Sequence, residues 1–177
     1  ISAIIRRDPK RARELVLSLS RFFRINLKQN TAVVTLKEEI DHVNAYLAIE
    51  KARFAERLQV TIKCDDAAMS ALLPSFTLQP LVENAVKHGI AQRIEGGHLT
   101  LNVRCTTDNH IHILVEDNAG LYKPKKEQHA GLGMDIVDKR LIHQFGQQAG
   151  LVIECRTNQF TRMSFSIPHT HHHSHQG

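Results

Sequence analysis

At 177 residues, with 42% hydrophobic and 23% charged side chains, the chain has room for one ordinary domain plus a helical attachment, and it is too apolar to be disordered. A formal net charge of +5 suits nucleic acid, but the basic residues are scattered and no aromatic platform accompanies them, which speaks against that partner. No apolar run approaches the ~20 residues of a membrane span, no signal peptide is visible, and Cys64, Cys105 and Cys155 are odd in number and far apart, as reduced, buried thiols would be.

The chain opens on Ile1 rather than methionine and is helix-bound within ten residues, so it reads as a piece of something longer. Asp8-Pro9 supplies an N-cap acceptor followed by proline at the first helical position. Ala12, Leu15, Val16, Leu19, Phe22 and Phe23 then recur at helical spacing. After a polar stretch around Lys28–Asn30, Thr35-Leu-Lys-Glu38 has the capping-box pattern of a second helix. Its stripe runs Leu36, Ile40, Val43, Leu47 and Phe54, with Glu50 where an apolar residue would fit. Residues 1–56 therefore predict a helical hairpin or dimerisation segment.

Near Arg57 the period changes, which sets a second domain at 57–168. Leu58, Val60, Ile62 and Cys64 alternate with polar residues as a half-buried strand does. A helix starting near Ser75 runs on to Gly89. Period two returns at Leu99/Leu101/Val103 and at Ile111/Ile113/Val115. A Gly/Pro/Lys-rich loop from about Asn118 to Ala130 precedes a helix over about Leu132–Phe145, then strands near Leu151–Cys155 and at Met163, Phe165 and Ile167. This order predicts an α+β fold, with helices on one face of a mixed, mainly antiparallel sheet. Residues 169–177 are rich in histidine and read as a solvated tail or an expression tag.

The chemistry gathers in three places. The helix Leu78-Gln-Pro-Leu-Val-Glu-Asn-Ala-Val-Lys-His-Gly89 puts Asn84, Lys87 and His88 on one face, because residues three and four apart are neighbours there. An amide oxygen suits Mg²⁺ shared with substrate phosphates, and a lysine suits their charge; His88 equally suits hydrogen bonding to carbonyls at the helix end. Glu83, next to Asn84, points elsewhere on the helix by the same spacing. Asp117 continues the parity of Ile111, Ile113 and Val115 and so points inward, where a carboxylate needs a partner. It either caps the turn at Gly120 or accepts a hydrogen bond from an adenine amino group. Gly131-Leu132-Gly133 leads into a helix whose N–H groups can meet an anion, and Lys123, Lys125 and Lys126 sit on the preceding loop.

In that order, the helix segment, Asp117-Asn-Ala-Gly120 and Gly131-Leu-Gly133 resemble the N, G1 and G2 boxes of the GHKL (Bergerat) ATP-binding sandwich. Leu36-Lys-Glu-Glu39, Tyr46-Leu-Ala-Ile-Glu-Lys-Ala-Arg-Phe54 and Arg57-Leu58 resemble the LytS/YehU (BtsS) family of bacterial sensor histidine kinases, over nearly all of residues 1–168. The resemblance implies Mg-ATP held by Asn84, Lys87, His88, Asp117, Gly120, Gly131, Leu132 and Gly133, with Asn84 the Mg ligand. It also implies transfer of the γ-phosphoryl to a histidine upstream of this chain, and then to a response regulator, in a homodimer forming the cytoplasmic part of an inner-membrane protein. His42 lacks the acceptor's sequence context. Two features depart from the usual G1 box: Ala119 and Leu121 stand where glycines are usual. The position of the general-base glutamate in GHKL hydrolases, four residues before Asn84, holds Pro80, which cannot activate water. The alternatives are a GHKL ATPase and a degenerate module serving as a dimeric scaffold.

Overall fold

The computed structural model describes residues 8–28, 32–122 and 132–169. Lys123, Lys125, Lys126, Gly131 and the tail beyond His169 lie outside them. Helix α1 (Pro9–Lys28) starts at the proline, as the Asp8-Pro9 pair predicts. A short strand β1 (Val33–Thr35) runs directly into helix α2 (Leu36–Phe54). The two helices pack together; Ala12 and Leu15 of the α1 stripe are buried, while Val16 and Leu17 face solvent.

The capping box at the start of α2 is complete. Glu38 N–H donates to Thr35 Oγ1 (3.2 Å), and Thr35 N–H donates to the Glu38 carboxylate (2.8 Å), which holds that carboxyl below its ordinary range. Thr35→Ala is expected to lower stability by about 1 kcal/mol. The urea midpoint reads this directly, and an unmoved midpoint would show that the cap contributes nothing.

Strand β2 (Leu58–Cys64), strand β3 (Leu72–Pro74) and helix α3 (Leu78–Asn84) follow, and α3 continues into a wider π turn, Ala85–Gly89. The rest is β4 (Gly97–Cys105), β5 (His110–Asp117), α4 (Leu132–Phe145), β6 (Val152–Arg156) and β7 (Phe160–Pro168). Five strands form one sheet in the order β2-β4-β5-β7-β6; β2 and β4 are parallel and the other pairs antiparallel. The register stacks Leu101, Val115 and Met163 in one row and Val103, Ile113 and Phe165 in the next. All six are buried, and they meet Leu36, Ile40, Val43 and Leu47 of α2, Leu78, Leu81 and Val82 of α3, and Val137 and Leu141 of α4 in one core. Each large aliphatic side chain so buried contributes about 1.5–3 kcal/mol.

One element was not foreseen. Strands β1 and β3 form a two-stranded antiparallel ribbon pairing Val33 with Pro74 and Thr35 with Leu72. Leu36 N–H also donates to Ala71 O (2.7 Å) and Lys37 N–H to Met69 O (3.1 Å). The change of period at Arg57 therefore marks where helix gives way to strand, while packing and hydrogen bonding run across it. The three cysteines are free and half-buried rather than fully enclosed. No described helix is long and apolar enough to cross a membrane.

Candidate functional site

The first N–H groups of a helix need acceptors from elsewhere. Thr77, at the N-cap of α3, does not provide one, since its hydroxyl donates to Pro74 O (2.6 Å). The cap comes from α2: Glu39 accepts from Phe76 N–H at Oε1 (2.7 Å) and from Leu78 N–H at Oε2 (2.8 Å). At its other end the helix widens, with Ile90 N–H reaching back five residues to Ala85 O. Such π turns recur at functional sites.

Pro80, Glu83, Asn84, Lys87 and His88 from this helix, with Gly133 and Met134 of α4, line a pocket of about 280 Å³. Asn84, Lys87 and His88 thus share one cavity and face Gly133 across it. Asn84 Nδ2 donates to Met163 Sδ (3.7 Å), a bond that leaves the amide's carbonyl oxygen uninvolved. Lys87 Nζ lies 2.6 Å from Glu83 Oε2, and Glu83 Oε1 accepts from Gln79 Nε2 at 2.6 Å. This corrects the expectation that Glu83 points elsewhere: bonds to residues four before and four after draw its carboxylate along the pocket face. The Lys87–Glu83 pair is half exposed, so it contributes at most about 1 kcal/mol and yields readily to an incoming anion. Among the described residues no cluster of three His, Cys, Asp or Glu gathers, so a cation here would rest on Asn84 and on oxygens the ligand brings.

Asp117, at the end of β5, is 1% exposed. Oδ1 accepts from Ala119 N–H (2.8 Å) and Gly120 N–H (3.2 Å), while Oδ2 is buried without a partner. Thr161 faces the carboxylate across the β5/β7 register, and its hydroxyl also lies 3.8 Å from Cys155 Sγ. Burial pushes the Asp117 carboxyl up, against the pull of the two backbone N–H groups and Thr161. The turn-capping role therefore occupies one oxygen and leaves the other, buried and outside the lining of the pocket, without a hydrogen bond. Leaving it orphaned costs about 1–3 kcal/mol.

Gly89 links the two ends of the site, and the sequence showed it only as a glycine closing a helix. A Cβ there would stand 3.0 Å from Asp117 Cγ and Oδ1 and 3.1 Å from Oδ2. Gly120 is placed differently: its φ is +61°, a Cβ would fall 2.2 Å from Arg156 O, and its own carbonyl accepts from Asn158 N–H (3.1 Å). It packs against the β6–β7 turn and does not line the pocket. Leu132 opens α4, and Gly133 would tolerate a Cβ at ordinary contact with Pro80. Gly131 falls outside the described residues. His42 is buried on α2 with its ring edge-on to Phe76 (5.4 Å), and burial lowers its pKa.

An open two-layer sandwich with an asparagine helix, an inward aspartate and a glycine at a facing helix start defines a class of nucleotide-binding fold. The family model of histidine kinase-, DNA gyrase B- and HSP90-like ATPases matches residues 71–171, and the chain belongs to that family; a histidine kinase model matches residues 1–58. The sensor histidine kinase BtsS of Escherichia coli is 48% identical over 168 residues, covering 95% of this chain and 30% of its own length. The sensor histidine kinase/phosphatase LytS of Staphylococcus aureus is 37% identical over 91% of this chain and 30% of its own. This chain thus spans less than a third of these curated relatives. The histidine kinase domain of the Erythrobacter litoralis EL346 blue-light-activated histidine kinase superimposes with a TM-score of 0.57 at 17% identity, covering 94% of this chain and 80% of that one, which shows the shared fold.

Proposed function

We propose that the chain is the ATP-binding catalytic core of a two-component sensor histidine kinase. The observation that carries this reading is the unpartnered Oδ2 of buried Asp117, an acceptor suited to an adenine amino group, against Gly89 at the end of the helix whose Asn84 and Lys87 line the pocket. In this reading Asn84 gives its amide oxygen to Mg²⁺, Lys87 leaves Glu83 to neutralise phosphate charge, His88, Leu132 and Gly133 complete the nucleotide's surroundings together with Gly131 of the same sequence motif, and Gly120 acts by shaping the turn that seats Asp117. The magnesium ion would add charge neutralisation on the phosphates. Residues 1–56 form the helical dimerisation and linker segment, and 57–168 the catalytic domain.

The γ-phosphoryl passes to a histidine upstream of residue 1 and then to a response regulator, in a dimeric parent held at the bacterial inner membrane with this portion in the cytoplasm. Little covalent work falls to the domain itself; it positions the nucleotide and balances its charge. Hydrolysis is the weaker reading. Pro80 offers no base at the position the hydrolases use, and Glu83, although in the pocket, has one carboxylate oxygen taken by Gln79. A degenerate scaffold is disfavoured by Ala119, which is buried and whose N–H still holds Asp117 in place.

Calorimetry with the non-hydrolysable analogue AMP-PNP tests this. The chain is expected to bind it more tightly with Mg²⁺ than without, and Asn84→Ala is expected to lose that Mg²⁺ dependence together with roughly 10- to 100-fold in affinity. Absence of binding by the unaltered chain would overturn the assignment.

A further inference from the structure

The segment Leu36–Glu39 is part of what ties this chain to its relatives, yet none of it touches the pocket. Its role emerges at the turn before α3. Phe76 has φ +60°, a left-handed conformation that a bulky aromatic residue rarely adopts. Glu39 holds that turn by its backbone, accepting from Phe76 N–H and, two residues on, from Leu78 N–H. One turn later on α2, His42 holds the Phe76 ring edge-on. From the opposite side, Arg140 Nη1 of α4 donates to Ser75 O (3.1 Å), and Ser75 N–H donates to Ala32 O (3.1 Å) just before β1.

The two helices that wall the pocket are thus pinned at one turn. α3 leaves it toward Asn84 and Lys87, and α4 reaches it seven residues after Gly133. The pin comes from α2. Glu39 is 2% exposed, and such a carboxylate is tolerated only where donors meet it. Asp117 lies on β5 and takes both its hydrogen bonds from its own turn; its one tie to this helix is the close approach of Gly89, at the end away from the junction.

We propose that Glu39 is a positioning residue for the phosphate end of the nucleotide site, through which α2 fixes where Asn84 and Lys87 stand. The role rests on the nucleotide reading above. It makes metal–triphosphate binding depend more strongly on the seating of α2 than recognition of the base does.

Two probes separate the ends of the site: Mg·AMP-PNP, which uses Asn84 and Lys87, and adenosine, which relies on Asp117. Glu39→Gln keeps one acceptor for the turn, and Glu39→Ala keeps none. Calorimetry on the chain and both variants, with circular dichroism melts to establish folding, is expected to show Mg·AMP-PNP affinity falling about 5- to 10-fold in Glu39→Gln and further in Glu39→Ala, with adenosine affinity falling less than about twofold. Folded variants that bind both probes like the original chain overturn the proposal. So does an equal loss for both probes, which would mean general loosening of the fold. If neither variant folds, amide exchange on the unaltered chain decides: Mg·AMP-PNP must slow exchange at Phe76 and Leu78, and unchanged rates there overturn the role. An unaltered chain that binds neither probe overturns the nucleotide reading itself, which the variants alone do not address.

Discussion

Asp117→Asn is expected to weaken ATP-analogue binding by about 2–3 kcal/mol, or roughly 30- to 150-fold, while raising the stability of the unliganded chain by about 1 kcal/mol. The two effects have one cause. Asparagine keeps an oxygen for the Ala119 and Gly120 N–H groups, so the turn survives. It replaces the buried, unpartnered Oδ2 with an amide nitrogen, which removes a desolvated charge but presents a donor to a donor. The pH dependence carries the same signature. Because burial raises the folded carboxyl's pKa, the folded chain keeps a proton that the unfolded chain releases between the ordinary aspartate value and the raised one. Stability therefore falls as pH rises through that window and levels off above it. The variant lacks this component, and denaturant titrations of both proteins across acid pH measure the difference. A variant that binds the analogue normally would remove Asp117 from base recognition; one that melts far below the parent would make the carboxylate a structural group.

Gly89→Ala is expected to lower nucleotide affinity more than tenfold without touching any pocket-lining side chain. Alanine favours a helix over glycine by about 1 kcal/mol. Against that, the added methyl would stand 3.0–3.1 Å from an Asp117 carboxylate fixed by two backbone bonds, and overpacking of this kind costs about 1–3 kcal/mol. The net result is a loss of up to about 2 kcal/mol in stability and a displaced carboxylate. Thermal melts and calorimetry together check it. An alanine variant with a higher melting temperature and full affinity would show that the carboxylate has room to move and that its contact with Gly89 is incidental.

What could be read in the sequence was local or periodic. The sheet has one covered face, so alternation alone located Ile111, Ile113 and Val115, and the same parity carried Asp117 inward to where it is buried. The capping box was legible because both partners lie within four residues. Spacing also brought Asn84, Lys87 and His88 to one cavity. What stayed hidden depends on distant chain. Glu38 and Glu39 look alike in sequence, yet one caps its own helix at the surface and the other is buried against a helix that starts 39 residues further on. Strands β1 and β3 are three residues each, too short to show a period, and β3 ends in proline. Glu83 was misplaced because its position beside Asn84 hid its bonds to residues four away on either side. The contact of Gly89 with Asp117 is tertiary and leaves no local trace.

The wide turn at Ala85–Gly89 has an angular consequence. In an α-helix, five residues advance about 500°, which would leave Gly89 about 140° around the axis from Asn84. A turn closed by a hydrogen bond over five residues winds less per residue and brings Gly89 back toward the Asn84 side. The backbone winding of one short helix thus sets the azimuth between the pocket-lining asparagine and the glycine that seats the buried aspartate, and a triphosphate and its purine can be gripped from a single strip of helix surface.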